Sequence, residues 1–186
     1  MTKPPQAPHG LDLVIDFVNT LDVETSTDAL GTPIDLAVWL EDRILTTPHD
    51  LAPQETDRLH AIRLREALRT LMLSNNTCEP DDQAFRQLES SARHGELSVH
   101  FDASGITLAP CAGGVDGVLA RMLVPIAHAI ADDTWGRVKA CRSPGCQWAF
   151  YDRSRNRSGV WCDMAVCGNR TKVRAYRDRG PRDKPR

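Results

Sequence analysis

Leu11, Val14, Ile15, Val18 and Leu21 fall at the i, i+3, i+4, i+7, i+10 spacing of a helix face, and Leu13 and Phe17 widen the stripe into that of a buried helix. Asp12, Asp16 and Asn19 share the opposite face. Asp16, Asn19 and Thr20 are therefore either candidates for a ligand pocket or polar groups that satisfy backbone partners. Gly31-Thr32-Pro33 predicts a turn, and Leu36, Trp39 and Leu40 a short amphipathic helix over 35–43 with Trp39 in the core. Pro53 fits the first position of the next helix, whose apolar face is Ala61, Leu64, Leu68, Leu71 and Met72 and which Ser74-Asn75-Asn76 ends. On its other face, Arg58, Arg63, Arg65 and Arg69 could form a phosphate site, but the interleaved Asp57 and Glu66 favour a solvated, ion-paired surface.

A further helix is predicted over 80–93. Leu97–Phe101 and Gly105–Leu108, joined by Asp102-Ala103-Ser104, read as a β-hairpin. Gly113-Gly114 then precedes Val115, Val118, Leu119, Met122, Leu123, Ile126 and Ile130, a helical stripe that Pro125 should kink. The expected fold is α+β: a mostly helical amino-terminal domain with a small β-hairpin, plus a small carboxy-terminal domain that the pairs Cys141/Cys146 and Cys162/Cys167 mark as a zinc finger. The expected divisions are a flexible leader over 1–10, the helical domain over 11–135, the finger over 136–180 and a basic tail over 181–186.

Composition changes the picture through its distribution. With 41% hydrophobic and 26% charged residues the chain lies in the globular range. No apolar run reaches the roughly 20 residues that span a bilayer, and Met1–Gly10 is proline-rich without a signal-type apolar stretch, so a cytoplasmic protein with no membrane partner is expected. The formal net charge is −2, yet residues 137–186 carry 14 Lys+Arg against 4 Asp+Glu, leaving 9 against 21 for residues 1–136. A basic end on an acidic body suits contact with a polyanion, or electrostatic docking of one half on the other.

The basic end also holds Cys141-x4-Cys146-x15-Cys162-x4-Cys167. Two short loops with two thiolates each supply the four soft donors of one tetrahedral zinc(II) ion, and no position stays open for water, so the ion is structural. Without a secretory signal, metal is favoured over disulfides, and Cys78 and Cys111 read as ordinary free thiols. Arginines near the thiolates, Arg142 and Arg170 among them, offset the negative charge of the cluster, but there are more than that needs. Arg153, Arg155 and Arg157 alternate along the loop between the cysteine pairs. Arg170, Arg174 and Arg177 fall at i, i+4, i+7 on a helix predicted over 169–179, which also carries Lys172. Asn169 can cap that helix, Gly180-Pro181 can stop it, and Val173 and Tyr176 can pack on the metal core. A face of this kind suits phosphate oxygens, duplex DNA first. RNA, a protein interface, or docking on the acidic body are the alternatives.

Phe150-Tyr151-Asp152-Arg153-Ser154-Arg155-Asn156, Trp161-Cys162-Asp163-Met164 and Cys167-Gly168-Asn169-Arg170 make residues 141–179 resemble the CGNR zinc finger. Leu13-Val14-Ile15-Asp16-Phe17-Val18-Asn19-Thr20, followed by Trp39-Leu40, resembles the opening of the ABATE domain, which precedes this finger in bacterial proteins classed as stress-induced transcription regulators. The resemblance implies zinc at Cys141, Cys146, Cys162 and Cys167, a DNA-binding role for the finger, and a sensor or dimerisation role for the first domain. A small-molecule effector is its implied partner, and a homodimer is expected because a single short helix rarely gives enough specificity alone. Ser158-Gly159-Val160 departs from the pattern, standing where further arginine is expected and trimming the basic surface. A transcription regulator is thus expected rather than an enzyme, since the sequence carries no His-Glu-x-x-His pair, phosphate-cradling glycine loop or nucleophile elbow.

Overall fold

The computed structural model describes residues 7–44, 51–103 and 105–178. Expectations for residues 1–6, Ser104, Arg179, Gly180-Pro181 and the basic tail over 181–186 lie outside them. Helix α1 (Leu11–Val18) leads through the short pair β1 (Leu21–Asp22) and β2 (Thr27–Asp28) into α2 (Pro33–Ile44). The long α3 (Glu55–Thr77) and α4 (Asp82–His94) precede the antiparallel hairpin β3 (Leu97–Asp102) and β4 (Gly105–Pro110), paired from Leu97↔Pro110 to Asp102↔Gly105 as the alternation predicts. Helices α5 (Gly114–Arg121) and α6 (Leu123–Ala131) complete the body. A second antiparallel pair, β5 (Val138–Ala140) and β6 (Ala149–Tyr151), and the terminal α7 (Asn169–Asp178) follow.

Local chemistry sets the boundaries. α1 stops at Val18, so Leu21 leaves the predicted helical stripe and pairs with Asp28 in the β1–β2 ribbon. α3 starts later than Pro53 suggests. Its cap is Gln54, in a reciprocal box with Asp57, so the proline sits before the cap rather than in the first turn. α3 also runs through Ser74-Asn75-Asn76 and ends on Cys78, whose φ of 62° closes it in the left-handed conformation. α5 and α6 are separated at Met122 because Pro125 has no N–H for the Arg121 carbonyl. By length and composition Gly114–Ala131 passes for a membrane span, but it contains this break and half of it is buried in the protein. In the expected leader, Ala7 is buried, and His9 stacks on His128 and meets Asp132 at 2.7 Å.

One core joins the body to the start of the basic end. Leu11, Val14, Phe17 and Val18 pack with Leu64, Leu68 and Met72 of α3 and Leu119, Met122 and Ile126 of α5–α6, and Val138, Ala140 and Ala149 of β5–β6 belong to the same cluster. Trp39 lies at its edge against Phe17. The expectation that the arginines of α3 form a solvated face is corrected for two of them, since Arg65 and Arg69 are buried. Arg65 grips both carboxylate oxygens of Asp28 at 2.7 and 3.0 Å. Arg69 donates to the carbonyls of Val18, Leu21 and Gln147 and to Glu66. The turn after α1 leaves its carbonyls without helical partners inside the protein, and guanidinium is the side chain with enough donors to serve several at once.

Candidate metal centre and basic groove

Backbone turns bring the four cysteines together. Cys141 follows β5 and its N–H bonds the Trp148 carbonyl at 2.9 Å; Cys146 closes a turn onto Ser143 at 2.9 Å. Cys162 precedes a π-helical turn, Met164–Gly168, that carries Cys167 and runs directly into α7. Asp163 caps this turn, its carboxylate accepting from the N–H groups of Ala165 and Val166 at 2.7 and 3.1 Å. The cap is therefore Asp163 and not Asn169, which is itself helical and donates its amide to Ala165 O.

All four sulfurs lie within 4.8 Å of one another. The Cys146–Cys162 and Cys162–Cys167 sulfur distances are 3.6 and 3.8 Å, which fits a tetrahedron of metal–sulfur bonds of about 2.3 Å, whose edge is about 3.8 Å. Burial and the hydrogen bond with Cys146 push the Cys162 thiol far above its ordinary range; burial and its bonds to Cys146 and Cys141 raise Cys167 to about 11. Cys141 moves the other way, because N–H groups of Cys162 and Ser143 outweigh its burial. Thiols so placed resist ionising together unless a cation joins them. The donor set therefore fits a structural metal ion, with Trp161 packed against it.

The loop between the cysteine pairs hangs on one buried ion pair. Lys139 Nζ donates to Asp152 Oδ2 at 2.8 Å and to the carbonyls of Arg157 and Gly159, while Asp152 also accepts from the N–H groups of Ser154 and Gly159. Burial alone would raise the Asp152 pKa, but Lys139, Ser154 and Gly159 overcome it and bring it to about 2. A Cβ on Gly159 would lie 2.7 Å from Asp152 Oδ1, so the chain passes too close there for any side chain.

The basic residues fall into two groups on this frame. Arg157 pairs with Asp133 at 2.9 Å, Arg153 lies 5.4 Å from the Tyr151 ring centre, and Arg155 is exposed beside them. On α7, Arg170, Lys172, Arg174 and Arg177 are exposed, and Arg170 reaches Glu24 at 2.8 Å. Arg170, Arg174 and Arg177 face Arg142 across a groove of about 940 Å³ between residues 142–145 and α7. Val173 does not pack on the metal core as expected; it is 48% exposed and lines this groove with Trp161 and Val166. The Tyr176 side chain lies outside the described residues.

Residues 11–134 match the ABATE family, described as "Putative stress-induced transcription regulator", and residues 137–180 match the CGNR zinc finger. The chain belongs to the ABATE family. A comparison with curated proteins finds no match. Within the ABATE region, Asp16 pairs with Arg43, and Thr20 Oγ1 donates to Phe17 O and accepts from Arg65. Asn19 clamps the finger: its amide donates to Ala149 O at 3.0 Å and accepts from Ala149 N at 2.8 Å.

Asn75 and Asn76, which read as a helix stop in the sequence, tie ABATE helix α3 to the CGNR finger. Asn75 donates to the carbonyls of Trp135 and Val138, and Asn76 to those of Ala140 and Val160. Replacing Asn76 by Leu leaves the buried Ala140 carbonyl unserved and the Val160 carbonyl with the Arg142 N–H alone, and we expect destabilisation of about 1–3 kcal/mol in urea unfolding, with Asn76→Asp no better because it cannot donate.

Proposed function

We propose that this protein is a cytoplasmic transcription regulator that binds DNA through its carboxy-terminal finger, with one structural zinc ion held by Cys141, Cys146, Cys162 and Cys167. The observation that carries the reading is the convergence of Arg142, Arg170, Arg174 and Arg177 on one groove, in a chain whose remaining surface is dominated by the acidic body. Guanidinium stays charged at any cellular pH and takes phosphate oxygens in bidentate fashion. Zinc orders the finger and the helix that leaves it; the arginines supply the contact.

In this reading the protein is not an enzyme. The ABATE domain does contain a serine–histidine–aspartate chain, in which His60 meets Asp116 at 2.9 Å and Ser91 Oγ at 2.9 Å. Ser91 is fully buried, however, and a nucleophile must reach its substrate. The chain joins α3, α4 and α5 as a structural tie.

The test is fluorescence anisotropy of the metal-loaded protein on mixed-sequence DNA and RNA across a salt series. Affinity for DNA is expected to fall steeply with salt, as counterion release requires; salt-independent binding, or none, would sink the reading. Glu24→Gln gives a sharper expectation, because it releases Arg170 and removes a carboxylate from beside the contact face. Low-salt affinity should rise about two- to fivefold, the range an exposed charge pair supports. If the groove instead only docks on the body's own acids, Glu24→Gln loosens the finger and leaves nucleic-acid affinity flat.

A further inference from the structure

The groove that carries the proposed function is not built like a duplex-facing ridge. A helix that reads the major groove is about 10–12 Å across and fills a groove about 12 Å wide, so its contact face must stand clear of the rest of the protein. Here the arginine face of α7 forms one wall of a concavity whose opposite wall is Arg142, Ser143, Pro144 and Gly145. Apolar side chains share the lining with the guanidinium groups: Trp161, Ala165, Val166 and Val173 belong to it beside the polar Asn169 and Thr171, with Val166 43% and Val173 48% exposed.

A site that only neutralised phosphates would not need apolar carbon between its cations. Conversely, an apolar patch for protein packing that is ringed by four arginines would need a strongly acidic partner, and no Asp or Glu lines the groove among the described residues. One ligand matches both parts: a strand with an anionic backbone and a flat apolar face presented to the protein. In a duplex those faces are covered by stacking, and only phosphates and base edges are offered. In an unpaired strand they are open, and arginine-walled grooves with an aromatic floor take such strands by stacking plus phosphate contact.

Resting on the nucleic-acid reading above, we infer that this groove holds an unpaired nucleotide segment, a single strand or the splayed end of a duplex. A base lies on Trp161, Val166 and Val173, and its flanking phosphates lie on Arg142 and on Arg170, Arg174 and Arg177. The volume of about 940 Å³ is at the upper end of the roughly 300–1,000 Å³ of clefts that bury small ligands. Trp161 serves two parts, since it also packs on the cysteine cluster. Gly168 lets it come close, because a Cβ there would lie 3.2 Å from Trp161 Cδ1.

The experiment uses the full, metal-loaded chain and three labelled probes of one sequence: a single strand, a blunt duplex, and the duplex with a short single-stranded overhang. Poly-glutamate is the competitor that stands for an acidic peptide. The single strand and the overhang are expected to bind about tenfold more tightly than the blunt duplex, within what one stacked base supplies. Trp161→Ala removes that preference, but it could also loosen the finger, so Val173→Gln is measured beside it, with metal content as the check on folding. Val173 is exposed, and its replacement should bring the three affinities together while leaving the salt slope unchanged.

Equal binding of blunt duplex and single strand by the wild-type chain overturns the groove assignment and leaves the DNA-binding reading standing. Displacement of the single strand by poly-glutamate at equal charge concentration overturns it in favour of an acidic protein partner. Failure to bind any of the three probes overturns the nucleic-acid reading, and this assignment with it.

Discussion

Removing the metal is expected to unfold residues 141–178 and to lower the thermal stability of the whole chain. Cys162→Ser, or a chelator, takes away one donor or the ion itself, and the free energy lost to the small domain is on the order of 10 kcal/mol. The finger is not a tethered appendage that could melt unnoticed. Val138, Ala140 and Ala149 sit in the same core as Leu64, Leu68 and Leu119, and Asn19, Arg69, Asn75 and Asn76 bond its backbone directly. Helices α1–α6 should persist, because their own packing does not pass through the sulfurs. Amide exchange in the presence and absence of chelator separates the two regions. Undiminished protection across 141–178 after metal loss would show that the cysteines are not what holds the finger.

The second large effect belongs to the Lys139–Asp152 pair. Both side chains are about 95% buried or more, at 5% and 3% exposure. Lys139→Met strands a carboxylate in the protein interior, and breaking one side of such a pair costs about 3–5 kcal/mol. Lys139→Met with Asp152→Asn should recover part of that loss, since no charge is left unpaired, but only part, because Ser154 and Gly159 donate to different carboxylate oxygens and the amide keeps an acceptor for one of them. The pH dependence follows from the direction of the shift. Asp152 is held at about 2 in the folded chain, below about 3.9 when unfolded, so its contribution is complete above about pH 5 and is lost as pH falls toward 2. That contribution is about 2 kcal/mol. Urea titrations at neutral pH and near pH 3 should show the wild type losing stability on acidification and Lys139→Met losing less. An equal loss in both would mean that another group governs the acid limb, protonation of the metal-binding thiolates first among them.

What the sequence showed most plainly was local. The cysteine spacing gave the four ligands because two short loops can close a tetrahedron without help from the rest of the fold. Alternation over 97–108 gave the hairpin, and Pro125 the break in the last body helix. What it concealed were long-range polar contacts. Arg65 and Arg69 look like the half-buried Arg58 and the exposed Arg63 in a helical projection, and only the arrival of Asp28 and the carbonyls of residues 18, 21 and 147 makes burying them tolerable. Asn75 and Asn76 carry the same lesson: asparagine near a helix end is an ordinary stop signal, and nothing local distinguishes a side chain that bridges to residues more than 60 positions away. Val173 could be assigned to a helix face but not to the groove it lines, since the opposite wall comes from residues 142–145.

The central claim is that the arginines of α7, on a metal-held finger, are the contact with nucleic acid. Its most direct measurement compares the wild-type chain with Arg170/Arg174/Arg177→Ala and with Arg86→Ala/Arg93→Ala, two cations on the body, in anisotropy titrations across a salt series. The α7 variant is expected to lose most low-salt affinity and to flatten the log–log salt slope by about 0.9 for each arginine that meets a phosphate. The body variant should bind as the wild type does. Unchanged affinity and slope in the α7 variant, with the metal still bound, would contradict the account and leave the finger a scaffold for some other surface.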